Sequence, residues 1–335
     1  MNKKIQMVFK RMLGVILAVF LFCGQNASAA PVCIKDSDVG KQLNLPIYEW
    51  VDAAKKRKGI IVAVHGLTLY AYAWDKLATR LASQGYAVFA LDQRGFGRWR
   101  TESLQFNGDN KIEIGQSQQD LLDLVTTLRQ ANPGQCLFCL GESLGANMSL
   151  LLVSEHPELT DGAILSSLCH KQRIHPKLRM PIDMAEEIVL PNKPLNLTPY
   201  AAPYLTNDVV LAKACNSDPN IYRKMTPVEL LKVDVLNGRA FSAAKSLPAD
   251  YPLLIIAGGA DAMFRQNLLP HALKEFGTRN VSLNFFSGKG HLLLEHQTPA
   301  PAILTLIDSW LNDENTTSAL AISPKTTGKG SVDRQ

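Results

Sequence analysis

Long apolar runs are scarce in this chain of 335 residues. The one near its start, 12–23, falls well short of the roughly 20 residues that a spanning helix needs. Lys3, Lys4, Lys10 and Arg11 precede it and Ala27-Ser28-Ala29 follows, the layout of a secretory signal peptide with cleavage expected after Ala29. An uncleaved anchor is the alternative. Phe22 before Cys23 and Val32 before Cys33 argue against a lipoprotein, which wants a small residue there. Excess charge is missing too: those four leader cations account for most of the formal +5, and the remainder sits near +1. That balance gives no electrostatic footprint for nucleic acid. An even cysteine set is also absent, because cleavage leaves Cys33, Cys136, Cys139, Cys169 and Cys215, and at least one of the five must stay unpaired in a monomer. Cys136 and Cys139 sit three apart on a strand-like run and point to opposite faces, a poor geometry for a redox pair. Cys169 with Cys215 is the pairing an exported protein could make. No internal repeat is present.

What the chain does have is a rhythm. Continuous apolar runs predict strands over 59–64, 86–91, 136–140, 163–166, 253–257 and 281–286. Helical spacing between them, as in WDKLATRLASQG and over 116–129, predicts a doubly wound, mostly parallel α/β sheet covered on both faces. The rhythm breaks for about eighty residues between His170 and Asp250, far beyond the usual connection. Apolar content and helical patterns (IDMAEEIV, TPVELLKVDVL) make this an inserted cap rather than a disordered linker. The expected organisation is a signal peptide over 1–29, core over 30–169, cap over 170–250, core over 251–312 and a disordered tail over 313–335.

Gly-x-Ser-x-Gly alone is weak in a chain with 22 glycines, but LGESLGA follows a buried strand and opens a helix. That is the setting of a nucleophile elbow, in which Gly141 and Gly145 permit the tight crossing that presents Ser143. A serine hydroxyl needs a base within reach and a carboxylate to orient that base. Among seven histidines, His291 stands after a late strand and a Gly-Lys-Gly turn, where it can reach over the sheet. Asp261 ends the strand before it. A helix N-cap is the rival role for Asp261, and Asp92 is the rival carboxylate, with a turn-stabilising role favoured. The oxyanion donors expected are the backbone N–H groups of Leu144 and of Leu67, the latter after the His65-Gly66 turn. His65 reads better as a structural histidine than as a chemical one.

HGL at 65–67, LDQRGFG at 91–97, GESLG at 141–145, AGGAD at 257–261 and GKGH at 288–291 together resemble the α/β-hydrolase family, in particular its monoacylglycerol lipase, lysophospholipase and serine aminopeptidase-like branch. The resemblance spans 59–312. It implies the fold, a Ser/His/Asp mechanism in the order Ser143, Asp261, His291 with no metal or organic cofactor, and a lid after the sixth strand. The chain departs from the branch after HG, where an acid and a histidine are usual and HGLTLYAYAW stands instead, and again at RGFGRWR. The expectation is an exported, periplasmic or secreted serine hydrolase of carboxylic esters, acylglycerol- or lysophospholipid-like. The apolar cap residues Ile182, Met184, Ile188, Leu190, Leu195, Tyr200 and Tyr204 motivate the lipid, and transient membrane-surface contact through the cap fits it. An aminopeptidase or acyltransferase on the same triad is the alternative, though Glu186-Glu187 is the cap's only adjacent acidic pair. A non-catalytic binding protein of the same fold is the alternative from another class.

Overall fold

Each apolar run forms a strand because backbone groups buried beneath side chains on both faces must pair with one another. The computed structural model describes residues 30–171, 192–198 and 204–322, with side chains through 314. Eight strands make one sheet: β1 (Val32–Ile34), β2 (Ile47–Val51), β3 (Gly59–Val64), β4 (Tyr86–Leu91), β5 (Cys136–Glu142), β6 (Gly162–Ser166), β9 (Leu253–Gly258) and β10 (Val281–Phe286). Their order is β1-β2-β4-β3-β5-β6-β9-β10. From β4 to β10 every neighbour is parallel, while β1 and β2 pair antiparallel at one edge. β7 (Leu195–Asn196) and β8 (Lys224–Met225) form a separate antiparallel pair inside the inserted segment.

Side chains alternate across the sheet, so β3 sends Ile60, Val62 and Val64 to one core and Ile61 and Ala63 to the other. The first core is covered by α3 (Ile114–Ala131), α4 (Leu144–Glu155) and α6 (Pro227–Ala243), the second by α2 (Asp75–Ser83) and α7 (Pro301–Ile322). Leu121, Leu124, Val125 and Leu128 of α3 are fully or almost fully buried, each worth about 2 kcal/mol of burial. α6 starts on a capping box, with Thr226 Oγ1 accepting from Glu229 N–H and the Glu229 carboxylate accepting from Thr226 N–H. α1 (Asp38–Leu43) and α5 (Val209–Ser217) complete the helices that matter here.

Four expectations change. β5 runs on to Glu142 and so reaches the serine directly. The short strands β1 and β2 carry no continuous apolar run and are not among the expected ones. α7 continues to Ile322, into the segment expected to be disordered; residues 323–335 lie outside the described ones. Cys169 and Cys215 do not pair: both thiols are free, Cys169 beside Ser143 and Cys215 packed with Leu69, Leu211 and Leu292. Cys136 and Cys139 do point into opposite cores. Residues 1–29, the patterned stretch IDMAEEIV, and Met184, Leu190, Tyr200 and Glu186-Glu187 lie outside the described residues. Among the described residues no helix is long and apolar enough to cross a membrane.

Candidate active site

The chain leaves β3 toward β4 on one side and later adds β5 on the other, so the carboxyl ends of β3 and β5 open a crevice where the direction reverses. His65-Gly66-Leu67 follows β3 and Ser143 follows β5 at that point. Ser143 takes φ 56° and ψ −121°, a conformation costly for any residue with a side chain. The fold fixes it there: Ser143 N–H donates to Ser166 O at 2.9 Å, and Asn147 N–H to Ser143 O at 3.2 Å. A Cβ on Gly145 would run into the Val64 carbonyl and one on Gly141 into the Gly145 carbonyl, so both positions require glycine for the crossing.

His291 and Asp261 meet Ser143 from two other loops. Asp261 follows β9 and His291 follows β10, and both are buried. His291 Nδ1 lies 2.8 Å from Asp261 Oδ2, and His291 Nε2 lies 2.8 Å from Ser143 Oγ. Asp261 also accepts from Met263 N–H at 2.7 Å, Phe264 N–H at 3.0 Å and Gln266 Nε2 at 2.8 Å. Burial pushes its carboxyl up, but the His291 interaction and these donors outweigh burial and hold it below the usual range. An ionised Asp261 accepts only, so the imidazole hydrogen sits on Nδ1 and Nε2 is left to accept the serine proton. Asp261 thus caps the following turn and orients the histidine with the same carboxylate.

The neighbouring groups are mostly structural. Asp92 gives one oxygen to Ala71 N–H at 2.7 Å and the other to Arg98 N–H at 2.9 Å, a turn-holding arrangement. His65 accepts from Gln93 N–H at 3.0 Å on Nε2 and donates from Nδ1 to Gly66 O at 2.9 Å. Burial pulls its pKa down to about 4, so the ring is neutral and shapes the turn. The Leu144 N–H, at the first position of α4, has no intrahelical acceptor, and the Leu67 N–H has none among the described residues. Of the other histidines, His170 lies against Phe241, His156 faces Glu158 and His271 is exposed; His175 lies outside the described residues.

Seven residues that bear on the surroundings of Ser143 were not assigned to the site from the sequence. Cys169 Sγ lies 3.5 Å from Ser143 Oγ; burial pushes its thiol up to about 12, which keeps it protonated. Asn147 brackets the Cys169 backbone, donating to its O at 3.1 Å and accepting from its N–H at 2.9 Å. Asp218, from the inserted segment, accepts from Tyr70 Oη at 2.5 Å and lies 2.8 Å from His296 Nε2. It thereby joins the loop after β3 to the loop after β10. Leu205 O accepts from Leu292 N–H at 2.7 Å, and Asn207 accepts from Gly290 N–H at 3.1 Å, so the insertion also grips the His291 loop. The last two, Glu142 and Glu295, are buried acids behind the elbow; a carboxylate closing an otherwise wholly apolar strand was the one signal that could have exposed Glu142.

Comparison with known proteins identifies the family and the fold. The family model described as serine aminopeptidase, S33, matches residues 55–298. Human monoglyceride lipase is 24% identical over 271 residues, 80% of this chain and 86% of that protein. A monoglyceride lipase homolog of monkeypox virus is 31% identical over 110 residues, so this chain spans only 38% of that relative. The crystal structure of Paleococcus ferrophilus monoacylglycerol lipase superposes with a TM-score of 0.64 at 21% identity, covering 81% of this chain and 99% of that one, a likeness of fold. With the family model covering most of the chain, and the mostly parallel sheet in place, the chain belongs to the serine aminopeptidase S33 family of α/β hydrolases.

Proposed function

We propose that the chain is an exported serine hydrolase that cleaves carboxylic esters of lipid-like, acylglycerol type, with Ser143 as nucleophile, His291 as base and Asp261 as its orienting carboxylate. The observation that carries this is the unbroken path Ser143 Oγ, His291 Nε2, His291 Nδ1, Asp261 Oδ2, with both hydrogen bonds 2.8 Å long and the serine held at positive φ. Ser143 Oγ attacks the ester carbonyl as its proton passes to His291 Nε2, and the tetrahedral oxyanion is held by the Leu67 and Leu144 N–H groups. Collapse expels the alcohol, which takes the proton from His291. Water, deprotonated by His291, then attacks the acyl-enzyme, and the carboxylic acid leaves as Ser143 regains its hydrogen.

The acylglycerol assignment is supported by relatives named as monoglyceride lipases and by the apolar residues of the inserted cap. A second reading, hydrolysis of aminoacyl amides, is favoured by the description of the matching family. Export is supported by the leader sequence, and N-terminal sequencing of the exported protein is expected to begin at Ala30. Brief contact of the cap with a membrane surface belongs to the same reading, and co-sedimentation with phosphatidylcholine vesicles tests it.

The decisive experiment is labelling with a fluorophosphonate probe. Wild type is expected to label and Ser143→Ala to lose label, with ester turnover reduced by about 10⁴ or more. A folded wild type that does not label overturns the assignment. Glyceryl and aryl esters of increasing acyl length, set beside aminoacyl amides, then separate lipase from peptidase.

A further inference from the structure

Glu142 and Glu295 are fully buried, and neither has a lysine or arginine partner among the described residues. What they meet differs sharply. The Glu142 carboxylate accepts from Ser166 Oγ at 2.7 Å and from three consecutive backbone N–H groups, Leu293 at 2.9 Å, Leu294 at 3.1 Å and Glu295 at 3.0 Å. Successive N–H groups converging in this way form an anion-binding nest. The Glu295 carboxyl meets one backbone donor, Gly66 N–H at 3.0 Å. It packs so closely that a Cβ on Gly66 would lie 3.1 Å from Glu295 Oε2.

Two buried carboxylates without a cation do not both ionise; one keeps its proton. The donors decide which. Four hydrogens directed at Glu142 require a group that only accepts, whereas Glu295 has a single donor, Gly66 N–H, shared by its two oxygens. Burial, then the charge on Glu142, pushes the Glu295 carboxyl well above the usual range. Burial also raises Glu142, opposed by its four donors. Among the described residues, the ionisable groups around the pair bring no cation into contact with it. Cys215 has its thiol pushed up to about 11 by burial; Asp218 is engaged with Tyr70 and His296, and the neighbouring Arg223 donates to the Cys215 carbonyl. His65, before Gly66, is neutral.

We propose that Glu142 and Glu295 are positioning residues that share one negative charge: ionised Glu142 fixes the loop bearing His291, and protonated Glu295 fixes the Gly66-Leu67 turn that carries an oxyanion donor. The elbow's own glutamate thereby ties nucleophile, base and oxyanion turn into one hydrogen-bonded frame. This rests on the reading of Ser143, His291 and the Leu67 N–H given under the proposed function.

The test combines infrared difference spectroscopy with kinetics on the full protein. A protonated-carboxyl C=O band is expected at neutral pH in wild type and in Ser143→Ala, and is lost in Glu295→Gln. Glu295→Ala is expected to lower kcat by roughly thirtyfold with KM little changed, and Glu295→Gln to restore most of that loss, because a neutral amide keeps an acceptor for Gly66 N–H. An alkaline limb in the wild-type kcat profile should vanish in Glu295→Gln. Glu142→Gln, which turns an NH₂ toward three N–H donors, is expected to lower kcat at least as much as Glu295→Ala. Absence of the band, or Gln and Ala variants of Glu295 equally impaired, overturns the proposal; these two readouts decide it even where Glu142→Gln does not fold. A band present in a protein that fails fluorophosphonate labelling keeps the charge arrangement and removes the hydrolase reading instead.

Discussion

Single residues near Ser143 are tuned by burial in opposite directions, and His65 and Asp92 show how. Burial lowers His65 to about 4 and raises Asp92 to about 6. For His65 the unfolded chain takes a proton near pH 6.5 while the folded ring does not. Its contribution to stability is therefore fully present above pH 6.5 and is lost as pH falls toward 4, about 3 kcal/mol in all. Asp92 runs the other way: the unfolded carboxyl ionises near pH 3.8 and the folded one near 6, so stability is lost as pH rises across that window. The two slopes largely cancel, and a melting curve against pH will not show either. Side-chain NMR will: the His65 ring is expected to stay neutral at pH 6 and to titrate near 4, and a midpoint near 6.5 would mean that the ring is open to water. At this scale Ser143, Asp261 and His291 were legible because their neighbours are turn residues at strand ends. Asp218 and Glu295 were not, because hydrogen bonds to residues 148 and 229 positions away leave no local pattern.

At the scale of elements, the parallel strands were legible because burial on both faces writes itself as an unbroken apolar run. The edge was not. Only two of the five residues of β2 are buried and all three of β1 are exposed, so neither shows a run or a clean alternation. The elbow depends on the pressing of α4 against the end of β3, and two glycine substitutions separate that crossing from ordinary helix propensity. Gly145→Ala forces a methyl group against the Val64 carbonyl and is expected to destabilise by about 3 kcal/mol or to prevent folding. Gly115→Ala, on α3 with open space around it, is expected to stabilise by about 0.5 kcal/mol. Thermal denaturation of both checks the pair; a mild effect at Gly145 would show that strand and helix can part.

For the whole molecule, the inserted segment matters through where it is fastened. Asp218 reaches Tyr70 on one side and His296 on the other, and Leu205 and Asn207 hold the turn before and after Gly290. Burial raises the Asp218 carboxyl, but hydrogen bonds from Tyr70 and His296 outweigh it and keep the group below its usual range, so these contacts survive throughout the neutral region. Asp218→Ala is expected to lower kcat/KM about tenfold, the worth of one hydrogen bond to a charged group. Steady-state kinetics with a short-chain ester checks this, and unchanged kinetics would mean that the two loops hold their places unaided.

Asp218 also works as an interlock. One carboxylate touches both the loop after β3, through Tyr70, and the loop after β10, through His296, so the positions of the two loops are coupled at a single group. The two loops thus share one fastening, and its loss in Asp218→Ala is expected to loosen Tyr70 and His296 together.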